Sequence, residues 1–352
     1  MFIQARHPDL YHGHKRKAGF FEGWYFKVVD PTQQYVFAFI PGISLGKKTD
    51  HSHSFIQMVH GPKANFSYLS FPIESFKAEK NTFDITVHNN MFSLKRMSLN
   101  VEDQSFTASG QLSFHNVMPW PDTFFNPGSM GFYNYIPRMQ CYSQVCAMDM
   151  LLEGKLCINN KEIDFNGGRG YVEKNWGSAF PYSWIWIQTN NFSKVSASLT
   201  CSLAHIPFLF GSFRGFLVGL TVDKRFFPFT TMNRSRCRTR QAGRDVHLEI
   251  HNSRHILTLE TETDREKFIL LHGPRDGRMV PLVQANLMGR VRVELKERGG
   301  KVLFNDEGSC AGIEYGGQQM LVMDQEEGMA KKAAPLFKDK HQAAKVHHAA
   351  LY

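Results

Sequence analysis

From residue 24 to residue 304 the chain is cut into short apolar or alternating runs, each closed off by Gly, Pro, Asn or Asp. The first series covers residues 24–29, 35–40, 54–59 and 83–88. The second covers 184–190, 195–203, 216–223, 246–250, 256–262, 291–296 and 302–304. Runs of this length between turn residues predict β-strands, and no amphipathic helix of normal length interrupts either series. Many short strands joined by tight turns make a sandwich or a barrel. With 352 residues there is room for two moderate domains or one large β architecture. Thirty Phe and 13% aromatic residues favour strands and aromatic-lined cavities.

A formal charge of +9 permits attraction to anionic surfaces, so the placement of the cations decides what they mean. They fall in separate patches at residues 15–17, 234–240 and 331–345, which read as solvated loops or tails, not as one stripe. Nucleic acid is therefore not an expected partner, and peripheral contact with a membrane stays open. The first ten residues hold no apolar stretch of signal-peptide type, and the longest apolar region, 206–222, is broken by Arg214 and several glycines. The expectation is a cytoplasmic protein, at most peripheral at a membrane. Six cysteines without a CxxC pair or metal-ligand spacing read as reduced, packed thiols, so neither a disulfide framework nor redox chemistry is expected.

Between the two series, residues 118–135 concentrate prolines and aromatics and read as a long loop across a barrel mouth or between two halves. From residue 329 the composition turns to Ala, Lys and His, which predicts a mobile or helical tail outside the core. His347 and His348 in that tail are weak evidence for a metal.

Two segments set a carboxylate among large aromatics at the start of an expected strand. One runs GFFEGWYFK over residues 19–27, the other GYVEKNWG over 170–177. Each passes from Gly through an acid (Glu22, Glu173) to a tryptophan (Trp24, Trp176), a weak echo of the kind that internal duplication leaves. After the second comes FPYSWIWIQTNNF, residues 180–192. Period-two geometry puts Trp184, Trp186, Gln188, Asn190 and Phe192 on one strand face and Ile185, Ile187, Thr189 and Asn191 on the other. Two indoles beside two amides suit a cavity that holds a greasy ligand and orients a polar head group. A core strand whose amides bond nearby loops is the plainer alternative. Asp50, His51 and His53 form a further polar group, in which Asp50 is a secondary candidate acid. No third and fourth ligand accompany the histidines, so no metal is expected.

Taken together these motifs resemble the tocopherol cyclase family. The resemblance lies in FEGWYFK at 21–27, in EKNWG at 173–177 followed by Phe180 and Pro181, in WIWIQ at 184–188 with Asn190 and Phe192, and in the stretch from VRVEL at 291–295 to Gly316 and Gly317. It spans residues 19 to 320. It implies an all-β fold of two lipocalin-like antiparallel β-barrel halves, here residues 1–160 and 161–328 followed by the tail at 329–352.

The family reaction closes a prenylated hydroquinone to a chromanol. The side-chain alkene nearest the ring is protonated and a phenolic oxygen attacks the tertiary cation, with no cofactor. That chemistry asks for a strong proton donor, a pocket that keeps water from the cation, and aromatic faces to stabilise it. Glu22 or Glu173 is then the acid, desolvated by its aromatic neighbours, and the alternative for either is a structural carboxylate paired with Lys27 or Lys174. Trp24, Trp176, Trp184 and Trp186 would bracket the cation and the prenyl chain, while Gln188 and Asn190 hydrogen-bond the ring hydroxyls. The partner is an apolar prenylated small molecule. Two other readings use the same cavity: a lipocalin-like carrier, which needs no buried acid, and a terpenoid hydratase, which admits water to the cation.

Overall fold

The structure, a computed structural model, describes residues 5–48, 51–103, 106–208 and 211–317. Asp50 and the tail at 329–352, with His347 and His348, lie outside the described residues. The architecture is all-β, and it consists of two antiparallel sheets, one 12-stranded and one 11-stranded, each curled around its own core.

The first sheet contains β1 (Phe20–Val29), β2 (Val36–Leu45), β3 (His53–His60), β4 (Asn65–Phe71), β5 (Phe76–Ala78), β6 (Asp84–Val87), β7 (Asn90–Ser93), β8 (Arg96–Glu102), β9 (Thr107–Met118), β10 (Cys141–Ile158), β11 (Lys161–Asp164) and β12 (Arg169–Gly177). The second contains β13 (Ser183–Thr189), β14 (Asn191–Phe192), β15 (Ala197–Phe208), β16 (Gly211–Val222), β17 (Arg225–Thr230), β18 (Arg236–Ala242), β19 (Asp245–His251), β20 (His255–Glu262), β21 (Ile269–Arg275), β22 (Arg278–Glu297) and β23 (Val302–Gly317). Strand order in the first is 4-3-2-1-12-10-9-8-7-6-5, and in the second 17-16-15-13-23-22-20-19-18. Both sheets end on two strands consecutive in sequence, β4 with β5 and β17 with β18. Each sheet curls so that its far ends meet, Phe71 stacking on His88 at 5.1 Å in the first and Arg214 donating to Cys237 O at 2.8 Å in the second, the lipocalin-like barrel that the family resemblance implies.

The curl follows from which face is apolar. In the first barrel Trp24 on β1 stacks on Phe76 and Phe83 at 6.1 and 5.9 Å, and Phe26 meets Phe92 at 5.4 Å. Residues from the near and far strands thus fill one interior. In the second, Ile185 and Ile187 of β13 pack with Val218, Leu248, Leu257 and Val293. A third apolar cluster joins the outer faces of the two barrels and includes Val29, Ala38, Val145, Tyr171, Trp184, Trp186, Val283 and Leu287. Strands with both faces buried lose the alternation that would mark a solvent side.

The chain crosses between barrels in residues 178–182. The strand at Arg169–Gly177, which falls beyond the expected boundary at 160/161, belongs to the first sheet, where it pairs with both β1 and β10. The two acid-to-tryptophan segments are therefore not equivalent positions of two halves. They are antiparallel neighbours, Glu22 facing Trp176 and Trp24 facing Lys174 in register. By strand order β1 corresponds to β13, since each starts its barrel and pairs with the strand that ends it.

Candidate active site between the barrels

On β12 the side chains alternate. Val172 and Trp176 join the first barrel's core, while Tyr171 lies in the inter-barrel cluster and Glu173 and Asn175 line a cavity between the barrels. β1 behaves in the same way, with Trp24 and Phe26 inward and Tyr25 outward. Across the gap, β13 turns Trp184 and Trp186 toward the first barrel, and β23 adds Glu314. Tyr25 lies opposite Glu173 in one sheet and Trp186 opposite Glu314 in the other. These four residues line one cavity of about 140 Å³ between the barrels, smaller than the roughly 300–1,000 Å³ of most ligand pockets.

Two glycines let the indoles lie flat. A Cβ on Gly316 would stand 2.0 Å from the Trp184 ring, and one on Gly312 would stand 2.7 Å from the Trp186 ring. Phe180 closes edge-on against Trp184 at 5.2 Å. The loop 119–140 supplies Met130, Tyr133 and Met139 to the wall, and β16 supplies Phe213 and Leu217. The proline- and aromatic-rich segment thus lies partly between the halves, its exposed tip apart.

Glu173 is buried and fully engaged. Its Oε2 accepts from Tyr171 Oη at 2.6 Å and from Trp186 Nε1 at 2.8 Å, and its Oε1 accepts from Ser143 Oγ at 3.0 Å and Asn175 Nδ2 at 3.5 Å. Burial pushes its pKa up against the pull of these four donors, and the net shift is upward. The Glu314 carboxyl, on a half-buried residue, has no hydrogen-bond partner among the described residues. Burial and then the neighbouring Glu173 charge push its pKa up to about 8. The Tyr25 hydroxyl is also unpartnered, and burial followed by the two carboxylates raises its pKa well above the ordinary phenol value. One carboxyl with four donors beside another with none is an arrangement that separates two acids into different protonation states.

Glu22 occupies a different place. It lies in the first barrel, 2.5 Å from Lys174 Nζ, and accepts the His12 backbone N–H at 2.8 Å. Burial raises its pKa, but Lys174 and His12 outweigh that, and the carboxyl is held below its ordinary value. Lys174 also donates to Leu10 O at 2.6 Å and sits over the rings of Trp24 and Trp176, at 5.2 and 4.7 Å. His12 stacks on Trp176 at 4.2 Å. The N-terminal segment and this ion pair plug the first barrel.

The four tryptophans consequently do not face one cavity: Trp184 and Trp186 line the inter-barrel space, and Trp24 and Trp176 belong to the first barrel's core. Gln188 and Asn190 do share a face with Trp184 and Trp186, yet neither lines the cavity. Gln188 Oε1 accepts from buried Lys27 at 2.8 Å. Asn190 Nδ2 donates to Asp149 Oδ1 at 2.9 Å and to Gly170 O at 2.8 Å. These amides dock one barrel on the other. Phe192 leaves the shared face, because the strand breaks at Asn190 and its ring packs into the second barrel against Phe304 at 5.4 Å. Among the described residues no cluster of His, Cys, Asp and Glu has metal-binding geometry. His53 instead meets the Tyr68 hydroxyl at 2.7 Å.

Sequence reasoning missed Tyr25, Tyr171, Ser143 and Glu314 as site residues. Glu314 carried a signal, being the one charged residue in the small-residue run from 308 to 317.

Comparison with known proteins follows the same lines. The crystal structure of CghA with Sch210972 superposes with a TM-score of 0.56 at 9% identity, covering 85% of this chain and 89% of that one, which establishes a shared fold. The probable chloroplastic tocopherol cyclase of Oryza sativa subsp. japonica is 22% identical over 87% of this chain and 77% of its own length. The chloroplastic tocopherol cyclase of Zea mays is likewise 22% identical, with the same coverage. The family model described as tocopherol cyclase-like matches residues 98–317, a span that takes in Glu173, both cavity tryptophans and Glu314, and the chain belongs to that family.

Proposed function

We propose that the protein is an acid-dependent cyclase of a prenylated hydroquinone and that the inter-barrel cavity is its active site. The observation that carries the reading is the pair Glu314 and Glu173. A carboxyl with a pKa of about 8 still holds its proton near neutrality, and its position beside the indoles of Trp184 and Trp186 suits delivery of that proton to an alkene. Protonation at the less substituted carbon leaves a tertiary cation, which the two indole faces stabilise. The phenolic oxygen then attacks the cation, forming the C–O bond, and its proton passes to the carboxylate pair. Substrate and product are isomers, so the proton is returned and nothing else is consumed. Glu173, fixed by four donors, is suited to receive the phenol proton, and Tyr25 to orient the ring oxygen. Family membership supports the substrate class.

Addition of water to the same cation is the second reading, and the Ser129, Ser202 and Thr231 side chains along the wall favour it. Incubation of the purified protein with a phytyl benzoquinol under reducing conditions, followed by mass spectrometry, separates the outcomes. An isomeric chromanol is expected. A product heavier by one water supports hydration instead, and an unchanged ligand with saturable binding supports a carrier.

A further inference from the structure

Of the seven large hydrophobic residues that stand exposed among the described residues, three are phenylalanines of the loop 119–140. Phe124 is 58% exposed, Phe125 77% and Phe132 44%. Phe124 and Phe125 pack edge to face at 5.2 Å and project together. Isolated surface apolar groups need no explanation, but Phe124 and Phe125, in contact and both more than half exposed, make a contiguous apolar patch.

Cations surround that loop. The Arg6 guanidinium sits 4.2 Å over the Phe124 ring. Lys15, Arg16 and Arg138 line a cleft whose other walls include Asn134, Ile136 and Trp176. The loop and the N-terminal segment at 5–18 contain only two acids, Asp9 and Asp122, and the Asp122 carboxylate accepts the Gly128 backbone N–H at 3.3 Å. Protruding aromatics ringed by basic side chains match a bilayer surface, where rings enter the headgroup boundary and cations meet lipid phosphates.

The same loop is the wall of the catalytic cavity. Met130, Tyr133 and Met139 face the cavity, residues 134–138 face the basic cleft, and Tyr142 borders both. We infer that this face docks on an anionic lipid bilayer, which brings the cavity wall to the membrane surface. The inference goes beyond the proposed reaction, because binding to lipid is read without substrate or turnover.

The test is co-sedimentation of the full chain with vesicles of phosphatidylcholine containing about one-third phosphatidylglycerol, at low and high salt. The wild type pellets with these vesicles, releases at high salt, and stays in solution with pure phosphatidylcholine. Phe124→Ser combined with Phe125→Ser lowers partitioning by about tenfold or more. Lys15→Glu with Arg16→Glu abolishes the salt-sensitive part, and Leu270→Ser, an exposed apolar residue of β21, leaves binding intact. Circular dichroism melts confirm that each variant is folded. Absence of binding at low salt, undiminished binding by the paired Phe variant, or self-association through the patch without lipid binding would each overturn the inference while leaving the cyclase reading to its own assay.

Discussion

Trp186 of the second barrel donates its indole N–H to Glu173 of the first at 2.8 Å, and the same tryptophan lies opposite Glu314 in its own sheet. One side chain thus ties the barrels together, forms part of the apolar wall and borders both carboxyl groups.

Trp186→Phe keeps most of that wall and removes the donor. A buried acceptor left short of a partner costs about 1–3 kcal/mol, so urea denaturation should show a loss in that range. With one stabilising hydrogen bond gone, the Glu173 pKa moves further upward, and the acidic limb of the pH–rate profile should shift to higher pH.

Glu22→Gln separates a structural carboxylate from a catalytic one. The substitution leaves Lys174 buried without its counter-charge, and the expected destabilisation is about 3–5 kcal/mol. Because the native pKa of Glu22 lies below its unfolded value, its stabilising contribution is present above the unfolded pKa and is lost as pH falls through the native one. Acid titration of stability should therefore flatten in the variant. Turnover by the folded fraction should persist, and its disappearance in a folded Glu22→Gln protein would return this residue to the catalytic machinery.

Lys27 gives a pH slope of the same sign in a more alkaline window. It is buried between the barrels, donating to Gln188 Oε1 at 2.8 Å and Cys310 O at 2.5 Å, and burial lowers its pKa to about 8. The unfolded chain binds a proton more strongly than the native one between pH 8 and the ordinary lysine value of 10.5. Stability should rise with pH across that window, by about 3 kcal/mol in total. Lys27→Met should abolish the slope. A slope that survives the substitution assigns it to other groups.

Gly316→Ala places a methyl group where the Trp184 ring lies, 2.0 Å from its nearest atom. The indole must tilt into the cavity, at a cost of about 1–3 kcal/mol for overpacking. Substrate affinity should fall along with thermal stability, and a variant with unchanged KM would show that Trp184 does not form the substrate wall.

Much of the fold was legible because turn residues cut the chain at nearly every strand end. The run at 54–59 becomes His53–His60, and that at 256–262 becomes His255–Glu262. The strand at Thr107–Met118 escaped notice because its apolar positions are few, whereas Arg96–Glu102 was missed although Met97, Leu99 and Val101 alternate inward. The faces were harder than the strands. β1 and β12 are buried on both sides, so hydrophobicity does not tell that Glu22 and Trp24 enter the first barrel while Tyr25 turns to the cavity. Glu173 was named from its aromatic surroundings. Glu314 was not, since its proposed role depends on a neighbour 141 positions earlier in the chain (314 − 173) that only the inter-barrel packing brings close.

The central claim is that the proton comes from Glu314, and single-turnover conversion of a phytyl benzoquinol by wild type and Glu314→Gln, followed from pH 6 to pH 9, tests it most directly. Wild-type conversion to the isomeric chromanol should decline as pH rises through about 8, where Glu314 loses its proton. The Gln variant, folded and still binding substrate, should be slower by a factor of about 10²–10⁴ and should lose that alkaline limb. Full turnover by Glu314→Gln with the wild-type pH profile would contradict the account.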